Sequence, residues 1–406
     1  MRSKKITFQN ATGYTLAARL ELPANSHPHA YAIFAHVFTG SKNLSASRHI
    51  SRSLTLSGIA VLRFDFTGLG DSEGNFADTN FTSNVEDLLA AARYLEEHYL
   101  APSILVGHSL GGAAVIFAAS QLFSVRAVAT IGAPSEPEHV SHLLQDSITT
   151  IEQRGKATVN IGGRVFTIKK QFLDDLKSKN MFDLLRGLRK AILVMHSPQD
   201  RVVEIENAAQ IYQAAYHPKS FVSLDGADHM LTNKQDAMYV GKTVSSWVSR
   251  YVEWPERERL KSDKQVVARL DTSAGFTTEI MADRHSLIAD EPESVGGNDF
   301  GPDPYELLAS ALAACTVMTL KMYARRKKWA LKEVKVHINH MKTYIQDCVD
   351  CEKSSSKIDY FDNCLEFEGD LDDTQIARLL EIAKRCPVHR TLHSEVRIET
   401  QLLENH

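Results

Sequence analysis

The pentapeptide Gly107-His108-Ser109-Leu110-Gly111 predicts a nucleophilic serine. A serine hydroxyl attacks poorly unless a base takes its proton, so enzymes expose such a serine on a sharp strand-to-helix turn. The apolar run that ends at Val106 predicts a buried strand before the turn, and the Ala-rich stretch 113–121 predicts a helix after it. This context favours a nucleophile at Ser109 over a chance Gly/Ser turn.

A serine nucleophile needs a histidine base and an acid that orients this histidine. Ligands bind at the carboxyl ends of parallel strands, so both partners should lie on loops that follow strands. Asp200 follows the apolar run 191–196 and His229 follows the run 220–224, which gives the chain order Ser, Asp, His. Four neighbours are less favoured for these roles: Asp225 and Asp228, on the loop of His229 itself, and His108 and His196, which we interpret as structural.

Acyl transfer also needs two backbone N–H donors aimed at the developing oxyanion. Leu110, the residue after the nucleophile, should supply one of them. The loop after the apolar run 30–36 reads His36-Val-Phe-Thr-Gly40. The N–H of Phe38 in this loop is the predicted second donor.

The first 250 residues alternate between apolar strand patterns and helical patterns, after an opening hairpin at 5–21. This alternation specifies a mainly parallel sheet with helices on both faces. Residues 134–190 interrupt it with a predicted hairpin at 157–168, and we interpret them as a small lid over the site.

With these features the first 250 residues resemble the α/β hydrolases, in particular carboxylesterases of the feruloyl/cinnamoyl-esterase type with their H-G-F-T-G loop. The segment Arg63-Phe-Asp-Phe-Thr-Gly-Leu-Gly-Asp-Ser also matches that family. Val37 stands where the loop of the family has glycine, which puts the geometry of the oxyanion hole in question. The resemblance implies an α/β hydrolase fold and a serine esterase acting on carboxylic esters or thioesters.

Two cysteines of the last quarter, Cys315 and Cys386, invite a second chemistry. Cys315 falls deep in an apolar helical pattern, whereas Cys386 precedes Pro387 and should cap a new helix. A helix N-terminus favours a thiolate. A single buried thiol is nevertheless often only a small apolar side chain.

The residues around both cysteines resemble the OsmC/Ohr family of thiol peroxidases over about residues 263–406. The motifs are G-G-x-x-x-G-P-x-P-Y-E-L-L, then A-L-A-A-C-T, and later C-P-V-H-R-T-L. The resemblance implies an α+β OsmC-like domain that reduces organic hydroperoxides with a dithiol reductant. It makes Cys315 the peroxidatic thiolate, Cys386 the resolving thiol and Glu306 a site residue, with Arg284 as the candidate activating guanidinium.

Glu306 and Cys315 are nine positions apart, which places them on opposite faces of a continuous helix. They can share a site only if the helix starts after Glu306 or bends, or if another subunit contributes. The family resemblance implies an intertwined homodimer formed through residues 263–406.

Cys348, Cys351 and Cys364 raise the question of zinc, but no fourth ligand is clear, although His337 and His340 lie upstream. We therefore favour a polar loop with incidental or redox-active thiols, and predict neither metal nor cofactor. The five cysteines all follow residue 314, which does not resemble a secreted disulfide framework and favours a cytoplasmic protein. The formal net charge of -4 gives no reason to expect nucleic acid, and no apolar run predicts a membrane span or signal peptide.

The sequence thus predicts an α/β hydrolase domain at 1–252, a charged linker at 253–262 and an OsmC-like domain at 263–406. Its expected substrates are small-molecule esters and organic hydroperoxides. The alternative is an esterase alone, whose C-terminal domain serves for dimerisation, redox sensing or binding.

Overall fold

The computed structural model describes residues 2–23, 28–253, 260–272, 275–344 and 357–403. The chain packs as two compact units, Met1–Gly275 and Phe276–His406. The predicted linker lies before this division, and its residues 254–259 fall outside the described part.

The first unit is built on an eight-stranded sheet. Its elements in chain order are β1 Arg2–Gln9, β2 Thr15–Leu22, β3 Ala30–Ala35, α1 Ser45–Leu56, β4 Ile59–Phe64, α2 Phe81–His98, β5 Ile104–His108, α3 Leu110–Gln121, β6 Ala127–Ile131, α4 Gln145–Arg154, β7 Lys156–Ile161, β8 Arg164–Lys169, α5 Lys170–Lys177, α6 Met181–Gly187, β9 Ala191–His196, α7 Glu206–Ala214, β10 Lys219–Ser223, α8 Lys234–Val248 and β11 Val266–Leu270. The sheet order is β1-β2-β4-β3-β5-β6-β9-β10. β1 and β2 form the predicted opening hairpin, and neighbouring strands in the series β4-β3-β5-β6-β9-β10 pair in parallel.

Both faces of this sheet are covered, as the apolar strands predicted. Every residue of β3 and β4 is buried, because helices pack on each side. Successive residues of β3 point to opposite faces, so Ile33 belongs to one apolar cluster and Phe34 to the other. The loops that follow β3, β5, β9 and β10 start from the carboxyl edge of this sheet.

The insertion between β6 and β9 has its own small fold. A 3-10 segment, Pro137–Leu144, leads into α4, the antiparallel hairpin β7–β8, α5 and α6. The hairpin predicted at 157–168 is confirmed. Phe172 and Leu176 on one face of α5 are buried with the core, which fixes the insertion to the body of the first unit.

The second unit combines hairpins with helices. Its elements are β12 Thr278–Ala282, β13 His285–Ala289, α9 Pro304–Lys327, β14 Ala330–Tyr344, β15 Lys357–Asp370, α10 Asp373–Ala383 and α11 Pro387–Leu392. The pairs β12–β13 and β14–β15 are antiparallel. Leu320 and Ala324 of α9 pack with Leu379 and Ile382 of α10 to form a small core.

Helix α9 contains a long apolar stretch. It starts with a capping box, in which Asp303 accepts from the Glu306 N–H at 2.7 Å and Glu306 accepts from the Asp303 N–H at 2.9 Å. Its length and composition would let it cross a bilayer, and it is the one described helix of which this is true. A single helix of this kind is weak evidence, since core helices of soluble proteins meet the same criterion.

Candidate functional site

Ser109 occupies a strained turn between β5 and α3. Its φ is 56°, a left-handed conformation that non-glycine residues rarely adopt. A Cβ on Gly107 would lie 2.3 Å from the Gly111 carbonyl oxygen, and one on Gly111 would lie 2.5 Å from the His36 carbonyl oxygen. Glycine at both positions therefore allows the sharp turn and the close approach of the 36–40 loop.

The structure brings Ser109, His229 and Asp200 into one hydrogen-bonded chain. His229 Nε2 lies 3.0 Å from Ser109 Oγ, and His229 Nδ1 lies 2.7 Å from Asp200 Oδ2. The residues come from the loops after β5, β10 and β9, at one edge of the sheet. A hydroxyl, an imidazole and a carboxylate in this order can transfer a proton away from an attacking serine.

Asp200 is held as a carboxylate. Burial opposes its ionisation, but hydrogen bonds from His229 and from the backbone N–H groups of Val203 and Val202 outweigh burial and lower the pKa of Asp200. The acid therefore carries its negative charge beside the imidazole, where it can stabilise an imidazolium.

Two further histidines support this site. His108 Nε2 donates to the carbonyl oxygen of His229 at 2.7 Å, and His196 Nε2 donates to that of Val203 at 2.7 Å. Burial lowers the pKa of His108 to about 3 and also lowers the pKa of His196, so both are neutral donors at physiological pH. These contacts agree with the structural interpretation of the two residues.

The alternative acids on the histidine loop are engaged locally. Asp225 accepts from Ser223 Oγ at 2.5 Å. Asp228 accepts from the Met230 N–H at 2.8 Å and from the hydroxyl of Thr232. Asp200 is thus the carboxylate that contacts the imidazole of His229 among the described residues.

The loop 36–40 lies beside the nucleophile. Phe38 and Leu110, the predicted oxyanion donors, line one small cavity together with Val37 and Gly111. Thr39 has a φ of 57°, whereas Val37 is not among the described non-glycine residues with positive φ. Val37, which replaces the glycine of the family, therefore has an ordinary backbone conformation. The left-handed conformation in this loop is instead adopted by Thr39.

A network of ion pairs beneath this loop was not predicted from the sequence. Lys42 Nζ contacts Asp65 at 2.5 Å and Asp71 at 2.6 Å, and the Lys42 N–H donates to Asp65 at 2.6 Å. Arg63 donates to the Lys42 carbonyl oxygen and pairs with Glu21. Arginine and aspartate inside the apolar strand Arg63-Phe-Asp-Phe were the available signal, because buried charges need partners.

In the second unit, Cys386 takes the predicted capping position. It is fully buried, and its sulfur accepts the His389 N–H of α11 at 3.3 Å and lies 3.5 Å from Thr316 Oγ1. Cys315, the neighbour of Thr316 on α9, is half-buried. Both thiols are free. The resolving-thiol candidate therefore faces the helix turn that carries Cys315.

Glu306 and Arg284 are not brought to this place. Helix α9 begins at Pro304, before Glu306, so the option of a later helix start is excluded. The Glu306 carboxylate caps its own helix, and Arg284 lies exposed in the turn of the β12–β13 hairpin. In the part of the chain that the structure describes, no ion pair joins Arg284 to Glu306.

Of the three remaining cysteines, the structure describes Cys364. Cys348 and Cys351 lie outside the described residues. Cys364 is exposed on β15, opposite His337 of β14. Within the described ranges no group of three or more His, Cys, Asp or Glu side chains could hold a metal ion.

Family models match both parts of the chain. A model described as serine aminopeptidase, S33, matches residues 26–153, and one described as OsmC-like protein matches residues 296–401. Among curated proteins, an uncharacterised 31.7 kDa protein of Escherichia coli is 24% identical over 186 residues, which are 42% of this chain and 63% of that protein. The mouse mitochondrial palmitoyl-protein thioesterase ABHD10 is 25% identical over 202 residues, which are 48% of this chain and 66% of that protein.

Solved structures agree with the first match. The esterase domain from a Rhodothermus marinus protein is 52% identical, with a TM-score of 0.53, over 62% of this chain and 100% of that domain. Est1E of Butyrivibrio proteoclasticus, solved with ferulic acid bound, shares the fold at 21% identity and a TM-score of 0.51, over 61% of this chain and 99% of Est1E. The chain is therefore a fusion: an α/β hydrolase of the esterase type followed by an OsmC-like domain.

Proposed function

We propose that the first unit hydrolyses carboxylic esters or thioesters through an acyl-enzyme on Ser109. The observation that carries this proposal is the hydrogen-bonded chain from Ser109 Oγ through His229 to Asp200. The 52% identity to an esterase domain adds support.

In the proposed reaction, Ser109 Oγ attacks the acyl carbon while His229 Nε2 takes the hydroxyl proton. Asp200 stabilises the imidazolium, which then protonates the leaving alcohol or thiol. The N–H groups of Leu110 and Phe38 donate to the oxyanion in both tetrahedral intermediates. Water then repeats the attack on the acyl-serine and releases the acid.

The substrate class is proposed from the lining of one cavity and from the name of one relative. A small cavity beside Leu110 includes Phe38, Phe66 and Phe76 in its lining, and we propose that these rings contact an apolar acyl group. The mouse relative is by its name a palmitoyl-protein thioesterase, so thioesters belong in the substrate panel. We propose short- and long-chain acyl esters and thioesters as the substrates to compare.

A fluorophosphonate probe tests the nucleophile. It should label the wild-type protein at Ser109 and fail to label Ser109→Ala. The matched control is Ser103→Ala, which removes a buried serine hydroxyl that has no hydrogen-bond partner among the described residues, and it should leave labelling unchanged. A wild-type protein that does not label would count against the proposal.

For the second unit we propose reduction of organic hydroperoxides by Cys315 and Cys386. The thiolate of Cys315 attacks the terminal peroxide oxygen, the O–O bond breaks, and the alkoxide leaves and is protonated to the alcohol. The resulting sulfenic acid condenses with the Cys386 thiol to give a disulfide and water, and an external dithiol reduces the disulfide.

Two observations support this second activity. The OsmC-like match covers both cysteines, and the Cys386 sulfur sits at a helix N-terminus with an N–H donor at 3.3 Å.

We further propose that the protein is a cytoplasmic homodimer formed through the second unit. The rival is a domain that only dimerises or senses oxidation, which would react once without turnover.

Cumene hydroperoxide separates these alternatives. Mass spectrometry should detect a Cys315–Cys386 disulfide, and a dithiol should sustain turnover that Cys315→Ser abolishes. Cys364→Ser is the control, because that thiol is exposed on β15, opposite His337 of β14. Oxidation without turnover would favour the sensing module.

A further inference from the structure

The loop that carries the proposed oxyanion donor is fixed from two directions. On the core side, Asp65 binds both the N–H and the ammonium group of Lys42, at 2.6 and 2.5 Å. This anchor lies four residues after Phe38. A second anchor, at Thr39, comes from the insertion between β6 and β9.

The second anchor is the guanidinium of Arg164, at the start of β8. Its Nη2 donates to the carbonyl oxygen of Thr39, a residue that is only 4% exposed. Phe172 of α5, another insertion residue, stacks on the ring of Phe38 with 5.3 Å between ring centroids. The insertion therefore contacts both residues at the tip of the loop.

Two peptide planes connect Arg164 to the Phe38 N–H. The Thr39 carbonyl belongs to the same peptide group as the Gly40 N–H, which donates to the Val37 carbonyl oxygen at 2.9 Å. The Val37 carbonyl in turn belongs to the same peptide group as the Phe38 N–H. Orienting the first peptide thus orients the second.

His36 completes the arrangement from the other side. Its Nδ1 lies 2.8 Å from the Val37 carbonyl oxygen and donates to it, because a carbonyl only accepts. The Val37 oxygen therefore receives two hydrogen bonds, which fix the direction of its peptide plane. Hydrogen bonds in series also polarise one another, so a cation at one end strengthens the donor at the other.

We propose that Arg164 is a positioning residue for the oxyanion hole, and that docking of the insertion on Thr39 and Phe38 is needed for the chemical step. This role rests on the proposed esterase function. The insertion then acts on the rate of acyl transfer and not only on substrate binding. Thr39, held at a φ of 57°, is where an undocked loop would relax first.

The test compares Arg164→Met and Arg164→Lys with Arg154→Met, an arginine of the same insertion at the end of α4. We expect Arg164→Met to lower kcat for an aryl ester about 10- to 100-fold, with KM changed less than about threefold, because a misoriented oxyanion donor acts on the transition state. Arg164→Lys should retain part of the rate, and Arg154→Met all of it.

An arylboronic acid provides a readout that a merely structural role would not move. Its tetrahedral adduct with Ser109 places a hydroxyl in the oxyanion hole, so its Ki should rise by the factor by which kcat/KM falls. Binding of the product acid should stay unchanged. Phe172→Leu should likewise raise the boronate Ki and lower kcat/KM. This variant replaces Arg164→Met in the test if Arg164→Met does not fold.

Unchanged boronate Ki and kcat in Arg164→Met, or an equal effect in Arg154→Met, would overturn the inference. Failure of the proposed function has a different signature, since wild-type protein would then show no Ser109-dependent hydrolysis. The full-length chain is used throughout.

Discussion

Asp200 and Asp225 differ in what they contact, and this difference assigns the acid of the site. Asp200→Asn should lower kcat/KM about 10³- to 10⁴-fold, because an amide neither stabilises the imidazolium nor fixes its tautomer. Asp225→Asn should lower it less than about twofold, since that carboxylate contacts Ser223. Steady-state hydrolysis of an aryl ester measures both. A larger loss in Asp225→Asn would reassign the acid.

His108 makes the stability of the first unit depend on pH. Burial lowers its pKa to about 3, whereas in the unfolded chain it protonates near its ordinary value of about 6.5. Below that value the unfolded state binds more protons, so stability is lost as the pH falls. Between pH 7.5 and 5.5 the loss due to His108 should be about 1 kcal/mol.

The variant His108→Gln isolates this contribution, because glutamine can still donate to the His229 carbonyl but does not titrate. Its unfolding free energy should fall less between pH 7.5 and 5.5 than that of the wild type, by about 1 kcal/mol. Urea unfolding read by hydrogen exchange of α3 peptides reports the first unit alone. If the unfolding free energies of both proteins depend on pH in the same way, His108 takes up its proton as readily in the folded protein as in the unfolded chain.

At the scale of elements, local patterns in the sequence were sufficient for most of the fold. Apolar runs predicted the parallel strands, and Pro387 after Cys386 predicted the helix that this cysteine caps. The link from Arg164 to Thr39 could not be predicted, because the two residues are 125 positions apart and Arg164 belongs to no motif. The Lys42–Asp65 anchor likewise needs two loops to be folded before its partners meet.

Glu306 illustrates how a capping motif and a family motif can coincide in one residue. Glutamine forms the capping box as well as glutamate does. Glu306→Gln should therefore keep the unfolding free energy of the second unit within about 0.5 kcal/mol of the wild-type value. Glu306→Ala removes the cap and should lower the unfolding free energy by about 1 kcal/mol. Urea unfolding checks both values. A large loss of hydroperoxide reduction in Glu306→Gln at unchanged stability would show that the carboxylate also acts in the thiol site.

At the scale of the whole molecule, the proposed dimer explains why α9 leaves large side chains uncovered. Met318 and Met322 on this helix are 63% and 72% exposed. A charge at an apolar subunit contact is strongly unfavourable. Met322→Glu should therefore shift the protein from dimer to monomer in sedimentation velocity, while esterase activity persists.

The control for this experiment is Phe123→Glu, which changes a 93% exposed aromatic residue of the first unit. It should leave the sedimentation coefficient unchanged. A wild-type protein that sediments as a monomer at micromolar concentration would contradict dimerisation through the second unit.

The central claim is that Ser109 carries the acyl group during hydrolysis. Rapid acid quench of the full-length protein with an activated ester, followed by peptide mass spectrometry, tests it most directly. We expect an acyl adduct on the peptide that contains Ser109, formed within the first turnover and absent from Ser109→Ala. Hydrolysis that proceeds in Ser109→Ala at the wild-type rate, or an adduct on another residue, would contradict the account.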